Sequence, residues 1–201
     1  MCLTGLVERL RFSGARLTWV KPDAMHLTLR FLGEVDAEPL GRFGKLLSEG
    51  YEGLSPFELR ICGTGAFPNG RRPSVLWVGV EPSAGPLTRV QEVAERAARE
   101  IGLAAEDRAF HPHLTVARVK DPREGAKALP YWEREQGFEA GAFAVDGVTL
   151  FSSRLTPRSR SCSSLISSIL RPITPRGPTG ATGRSPGISG FIWPFTTPIS
   201  D

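Results

Sequence analysis

The sequence predicts an α+β fold whose strands pair mainly in the antiparallel sense. Helix-type and strand-type hydrophobic patterns alternate over most of the first 151 residues, with short connections between them. The chain has 201 residues, 40% hydrophobic and 23% charged, which is a globular composition for one domain or two small lobes. No run of eighteen apolar residues occurs, so no transmembrane helix is predicted.

The elements follow from their periods in chain order. Leu3, Leu6, Val7 and Leu10 have helical spacing, so the chain is expected to open inside a helix. Further helices are predicted at 37–49, 86–101 and, more weakly, 124–136. Strands are predicted at 16–20, 26–32, 57–61, 74–80 and 113–119, and as a pair within 138–151 that turns at Asp146-Gly147.

Helix 86–101 has the clearest pattern. Its apolar residues form one stripe: Leu87, Val90, Ala94, Ala97 and Ile101. Two i,i+4 ion pairs are predicted on its surface, Glu92 with Arg96 and Glu95 with Arg99.

Residues 157–201 differ in composition from the rest. They are rich in Pro, Ser, Gly and Thr and show no lasting periodicity, so we predict a disordered, low-complexity tail. Two short apolar pieces within it, 165–170 and 191–195, leave room for some order. The predicted organisation is a folded domain over 1–156 and a basic tail over 157–201.

The charge belongs to that tail. The net charge is +4, but residues 157–201 hold five Arg and one acidic residue, so 20 basic and 20 acidic residues balance over 1–156. A nucleic-acid function of the body must therefore rest on a local site. Three widely spaced cysteines give no disulfide framework or paired metal motif, and the N-terminus does not resemble a signal peptide, so a cytoplasmic location is predicted.

Two of the three histidines begin the same tripeptide, His26-Leu27-Thr28 and His113-Leu114-Thr115. Residues i and i+2 of a strand point to one face, about 6–7 Å apart, so each tripeptide presents an imidazole beside a hydroxyl. Two imidazoles suit a reaction that needs one acid and one base near neutral pH. Two hydroxyls suit the oxygens of a phosphodiester.

These segments resemble the 2H phosphoesterase family, in particular the bacterial and archaeal RNA 2′,3′-cyclic phosphodiesterases, also called 2′-5′ RNA ligases. The resemblance covers about residues 3–156 and is carried by 19–34 and 110–118. It implies two pseudo-symmetric lobes of antiparallel sheet and helices around a central cleft. It also implies His26 as proton donor, His113 as proton acceptor, Thr28 and Thr115 as phosphate-binding hydroxyls, and no metal or cofactor.

Departures from the family pattern lie at both ends. The family's first strand, before the first helix, and its last strand, after the Leu-Phe-Ser-Ser segment, have no evident counterpart. The implied partner is an RNA or oligonucleotide end bearing a 2′,3′-cyclic phosphate, with no membrane, no protein partner and a monomeric state. Two alternatives stay open: a phosphodiesterase for small cyclic nucleotides, and a non-catalytic nucleotide-binding remnant.

Several residues near the tripeptides have two interpretations. Arg118 and, less favourably, Arg30 either neutralise phosphate or are surface charges at strand ends. His111 is expected to be a supporting or loop residue, and a metal site with His113 is a poor alternative because no third ligand is nearby. Phe110 is expected to pack in the core rather than stack on a base, and Trp19, Trp77 and Trp132 in the core or between lobes.

Overall fold

The computed structural model describes residues 2–21, 24–82 and 84–155, and the backbone of two later strands. Side chains are described up to residue 151. The helices are α1 (Leu3–Arg11), α2 (Ala37–Gly50), α3 (Pro86–Glu100) and α4 (Pro122–Glu133). The strands are β1 (Thr18–Trp19), β2 (His26–Arg30), β3 (Phe57–Phe67), β4 (Val75–Glu81), β5 (His113–Arg118), β6 (Glu139–Val145), β7 (Gly147–Leu155), β8 (Arg160–Ile169) and β9 (Gly190–Pro194).

Local signals in the sequence account for the helices. Pro86 occupies the first turn of α3, and Gly102, at φ +94°, follows its end, because glycine adopts the left-handed conformation without a Cβ clash. The predicted stripe is buried except Ile101, which packs partly exposed against the core. Neither predicted i,i+4 ion pair forms within 4 Å; Glu95 binds Arg30 of β2 instead.

The strands form one curled, antiparallel sheet. Their order is β6-β3-β4-β5-β2-β9-β7-β8, and β1 pairs with β5 on the side of the sheet path. The predicted α+β class is therefore confirmed. The helices pair as α1 with α4 and α2 with α3, and α3 packs on β2.

The two halves of the sheet meet at one residue pair. Strands β6, β3, β4 and β5 form one half, and β2, β9, β7 and β8 the other. Only Leu27 and Leu114 pair directly between β2 and β5. Both leucines are buried, and Leu27 and Leu29 meet Leu87 and Val90 of α3 around a small apolar cavity. The core therefore lies on the helix-covered face and is continuous across the junction.

The predicted strand pair within 138–151 is wrong in its pairing. Both strands exist and Asp146 separates them, but β6 pairs with β3 while β7 pairs with β8 and β9. The Asp146-Gly147 signal thus marks a crossing between the two ends of the curled sheet. A turn signal is local, whereas the strand partner is chosen by burial across the whole sheet.

The structure describes the backbone of two strands within 157–201. Strand β8 pairs with β7, and β9 lies between β2 and β7, pairing with both. Each strand overlaps one of the two short apolar pieces noted in the tail. The prediction of disorder for the remaining tail residues lies outside the described part of the chain.

Candidate active site

The two HLT tripeptides lie on neighbouring strands, β2 and β5, at the junction of the halves. Because Leu27 pairs with Leu114 in antiparallel register, His26 lies across from Thr115 and Thr28 across from His113. The leucines point into the core, so the four polar side chains share the opposite face. The histidines are then diagonal neighbours, with a separation of roughly 7–8 Å expected from strand geometry.

Each imidazole is held by the backbone two residues before it. The Nδ1 atom of His26 lies 2.7 Å from the carbonyl oxygen of Ala24, and Nδ1 of His113 lies 2.6 Å from that of His111. A carbonyl oxygen only accepts, so Nδ1 must carry the proton in both rings. In the neutral state Nε2 is therefore the unprotonated nitrogen, and the same nitrogen is available in both histidines.

The environment lowers the pKa of both histidines below the ordinary value of 6.5. Burial is the largest cause in each case, because it penalises the charged imidazolium. The carbonyls of Ala24 and His111 oppose this shift, and the positive charge of Arg118 lowers both pKa values further. Proximity of His113 also lowers the pKa of His26, which shows that the two rings interact electrostatically.

Thr28 and Thr115 lie half-buried beside the histidines. Neither hydroxyl has a hydrogen-bond partner among the described residues. Both are therefore available to a bound group on this face. A threonine hydroxyl donates one hydrogen bond and accepts others, which suits contact with a phosphoryl oxygen.

A β-bulge turns Arg118 toward the histidines. The pairing of β4 with β5 shifts register between Leu76 and Trp77, so Val116 is the extra residue on β5. Trp77 pairs with Thr115 on the histidine face, Leu76 pairs with Ala117 in the core, and Val75 pairs with Arg118. The shift therefore places exposed Arg118 on the histidine face, in agreement with its effect on both pKa values.

Arg30 fits neither interpretation drawn from the sequence. Its side chain is only 9% exposed, and its Nε atom lies 2.8 Å from Glu95 Oε2. It also contacts Glu106 at 3.4 Å and donates a hydrogen bond to the carbonyl oxygen of Ala104. The ladder between β2 and β9 shifts register between Thr28 and Arg30, which breaks the alternation and turns Arg30 toward α3. It is a structural ion-pair residue.

Two aromatic side chains that the sequence did not assign to the site flank His113. The rings of Phe67 and Trp77 have centroids 4.9 Å and 5.8 Å from the His113 ring, and 5.1 Å from each other. The prediction of Trp77 as a core or lobe-interface residue is wrong, since it lies half-buried on the histidine face. The Trp77 ring packs on Gly65, where a Cβ atom would lie 2.2 Å from the ring. Alternation along β3 and β4 contains this signal, but only once the pairing is known.

The remaining sequence predictions are met in the ways expected. Phe110 and Trp19 pack partly buried against the core, and Trp132 is fully within it. The exposed His111 supports His113 through its backbone carbonyl. No group of three or more His, Cys, Asp or Glu side chains in the described part of the chain is arranged to hold a metal ion. No helix described here is long and apolar enough to cross a membrane.

A curled antiparallel sheet in two halves, each giving a histidine- and threonine-bearing strand to one face, is the arrangement of the 2H phosphoesterase class. Within that class the chain belongs to the 2′-5′ RNA ligase superfamily, whose model matches residues 4–156. A curated RNA 2′,3′-cyclic phosphodiesterase of Aeropyrum pernix is 38% identical over 159 residues, covering 77% of this chain and 89% of that protein. Its namesake in Methanothermobacter thermautotrophicus is 35% identical over 150 residues, covering 75% and 80%.

A solved structure supports the same placement. The crystal structure of TT0787 of Thermus thermophilus matches with a TM-score of 0.70 and 29% identity. The match covers 84% of this chain and 90% of that one. The family resemblance carried by the two HLT segments is thus confirmed, and the fold it implied agrees with that of a solved relative.

Proposed function

We propose that this protein hydrolyses 2′,3′-cyclic phosphodiester ends of RNA to 2′-phosphomonoesters. The observation that carries the proposal is the pair of histidines on one face, each anchored through Nδ1 so that Nε2 is presented for proton transfer. The names of the curated relatives support the substrate class. Two positioned imidazoles suit in-line displacement at phosphorus, which needs a base for the nucleophile and an acid for the leaving group.

In the proposed reaction His113 is the base and His26 the acid, as the family resemblance implies. Nε2 of His113 removes a proton from water as the water oxygen attacks the cyclic phosphorus. The bond from phosphorus to the 3′ oxygen breaks, and Nε2 of protonated His26 donates its proton to that oxygen. The product is a 2′-phosphomonoester, and proton exchange with solvent restores both rings.

Thr28, Thr115 and Arg118 are proposed to bind the non-bridging phosphoryl oxygens. All three lie on the histidine face, and the hydroxyls have no other described partner. Their contacts strengthen as negative charge grows on the phosphoryl oxygens in the transition state. The scheme uses only side chains for proton transfer, so we propose that it needs no cofactor.

The test is turnover of an oligoribonucleotide ending in a 2′,3′-cyclic phosphate, in the presence of EDTA. His26→Ala and His113→Ala should each lose roughly 10²–10⁴-fold in kcat, because each removes one proton-transfer step. His111→Ala is the matched control, since it removes an exposed imidazole but keeps the backbone carbonyl that holds His113. Binding without turnover by the folded wild type would favour the nucleotide-binding remnant and reject the proposal.

A further inference from the structure

The face that carries the histidines extends beyond them toward one end of the β3–β4 hairpin. The registers place Phe67 opposite Val75, Val75 opposite Arg118, and Arg118 opposite Thr18. These residues form a cross-strand row next to the row of Trp77 and Thr115. Phe67 and Arg118 are two strands apart, or roughly 10 Å. The row ends at the turn formed by residues 68–74.

This turn has a fixed shape. The side-chain Oδ1 of Asn69 accepts hydrogen bonds from the backbone N–H groups of Arg71 and Arg72, at 3.0 and 3.2 Å. The carbonyl oxygen of Phe67 accepts from both the backbone N–H and the hydroxyl of Ser74, at 2.7 and 3.0 Å. Buried Pro73 packs against α4. The backbone that presents the two arginines is therefore ordered before any ligand binds.

Arg71 and Arg72 are exposed, and no described carboxylate forms an ion pair with either side chain. Arg118, at the end of the neighbouring strand, likewise has no described ion-pair partner. By contrast, Arg9 binds Glu135 at 2.7 Å and Arg30 binds Glu95 at 2.8 Å. The balanced charge of the body thus conceals one local group of unpaired guanidinium groups.

The opposite end of the same face is acidic. Along β4, the residues on this face are Val75, Trp77, Gly79 and Glu81, and Gly79 pairs with His113. Glu81 therefore lies beyond the histidine row, paired with Arg60. Glu81 and Glu139 together raise the pKa of the neighbouring Cys62 thiol, after burial as the first cause. A polyanion held at the histidines is repelled at this end and attracted at the other.

We propose that Arg71 and Arg72, together with Arg118, form a tract that binds backbone phosphates of the RNA strand on the 5′ side of its cyclic phosphate end. The inference rests on the proposed function and deepens it. It makes the substrate an oligonucleotide, not a mononucleotide, and gives the strand a direction away from Glu81. Guanidinium groups suit this task because their planar donors match phosphate oxygens.

The direct test is binding of a short oligoribonucleotide with a 2′-phosphate end, the expected product, measured by fluorescence anisotropy over a range of salt. The variant is the double substitution Arg71→Ala with Arg72→Ala. Affinity at low salt should fall about two- to thirtyfold, as expected for two exposed ion pairs. The slope of log K against log salt should shrink by about 1.4, because each single-strand phosphate contact contributes about 0.7. This readout needs no turnover.

Three comparisons make the result specific. Arg89→Ala with Arg99→Ala removes the same charge from exposed positions of α3, on the helix-covered face, and should leave the slope unchanged. Arg71→Lys with Arg72→Lys should restore most of the slope. Hydrolysis of a mononucleotide 2′,3′-cyclic phosphate by the Ala double variant should equal that of wild type, while kcat/KM for the oligonucleotide falls.

The possible outcomes separate the tract from the proposed function. An unchanged salt slope in the double Ala variant, or an equal loss in the α3 variant, overturns the tract. Equal losses on mononucleotide and oligonucleotide also overturn it, because the turn would then support the site itself. Absence of turnover by wild type on both substrates rejects the proposed function, while the binding measurement still decides whether the tract exists.

Discussion

At the scale of single residues, the carbonyl oxygens of Ala24 and His111 decide which imidazole nitrogen faces the cleft. Each accepts a hydrogen bond from Nδ1–H two residues later. Ring orientation and tautomer are then fixed together, so proton transfer at Nε2 requires no rearrangement. The same contact appears in both halves, which explains how two equivalent histidines can serve one phosphoryl group from opposite sides.

The lowered histidine pKa values predict an acid-shifted pH profile. Activity needs His26 protonated and His113 neutral, so kcat/KM should peak between their two pKa values in the free enzyme, below pH 6.5. Arg118→Gln removes a positive charge that lowers both values, so the residual activity should peak at higher pH. The measurement is kcat/KM against pH for both proteins. A wild-type maximum at or above neutrality would contradict the assigned burial effect.

The sequence predicts the HLT site well because its signal is local. Two residues on one strand face need only the alternation of a strand, and the repeat identifies the second strand. Arg30 and Arg118 show where such reasoning ends. Both follow an HLT tripeptide, yet one is buried against α3 and the other is exposed beside the histidines. Register shifts in the pairing decide this difference, and they depend on neighbouring strands.

At the scale of elements, buried ion pairs hold the helices to the sheet and its loops. Arg30 joins β2 to α3 and to the loop around Ala104 and Glu106, just ahead of β5. On the other side of the molecule, Arg9 of α1 binds both carboxylate oxygens of Glu135 after α4. Such pairs link segments far apart in sequence, so a scan for i,i+4 partners does not find them.

Glu124 of α4 gives the clearest acid-dependent contact between elements. Its carboxylate accepts hydrogen bonds from the backbone N–H of Arg16, at 2.7 Å, and from Lys127, at 2.9 Å. These contacts lower its pKa from 4.5 to about 2. Because the folded pKa is the lower one, the contribution to stability is complete above pH 4.5 and is lost as pH falls toward 2.

The expected result is that the wild type loses more stability than Glu124→Gln over this pH range. The measurement is urea unfolding of both proteins at a series of pH values, since the amide cannot titrate. Glu49→Gln is the control, because Glu49 is exposed and its contact with Lys45 is a surface pair at 3.8 Å. Parallel pH curves for wild type and Glu124→Gln would show that the carboxylate does not sense folding.

At the scale of the whole molecule, the alternation of helix and strand signals is sufficient for the class but not for the topology. Strands β6 and β7 are separated by one residue and yet pair at different ends of the curled sheet. The connection between the halves rests on the Leu27–Leu114 pair and on the shared apolar core beneath it. This arrangement brings one HLT strand from each half to a single site, which no local pattern could specify.

The position of β9 predicts the effect of removing residues 157–201. Its backbone pairs with His26, Leu27, Thr28 and Arg30 on one side and with β7 on the other. Without β9, β2 has an unpaired edge along the tripeptide that carries His26, and its hold on the sheet is reduced to the junction with β5. A chain ending at residue 156 should therefore melt at a lower temperature and hydrolyse the cyclic phosphate more slowly. Thermal melts and kinetics should be compared with those of Ile192→Pro, which removes only one backbone donor from the β9 ladder. Full activity and an unchanged melting temperature in the shortened chain would instead establish 1–156 as the independent domain that its composition predicts.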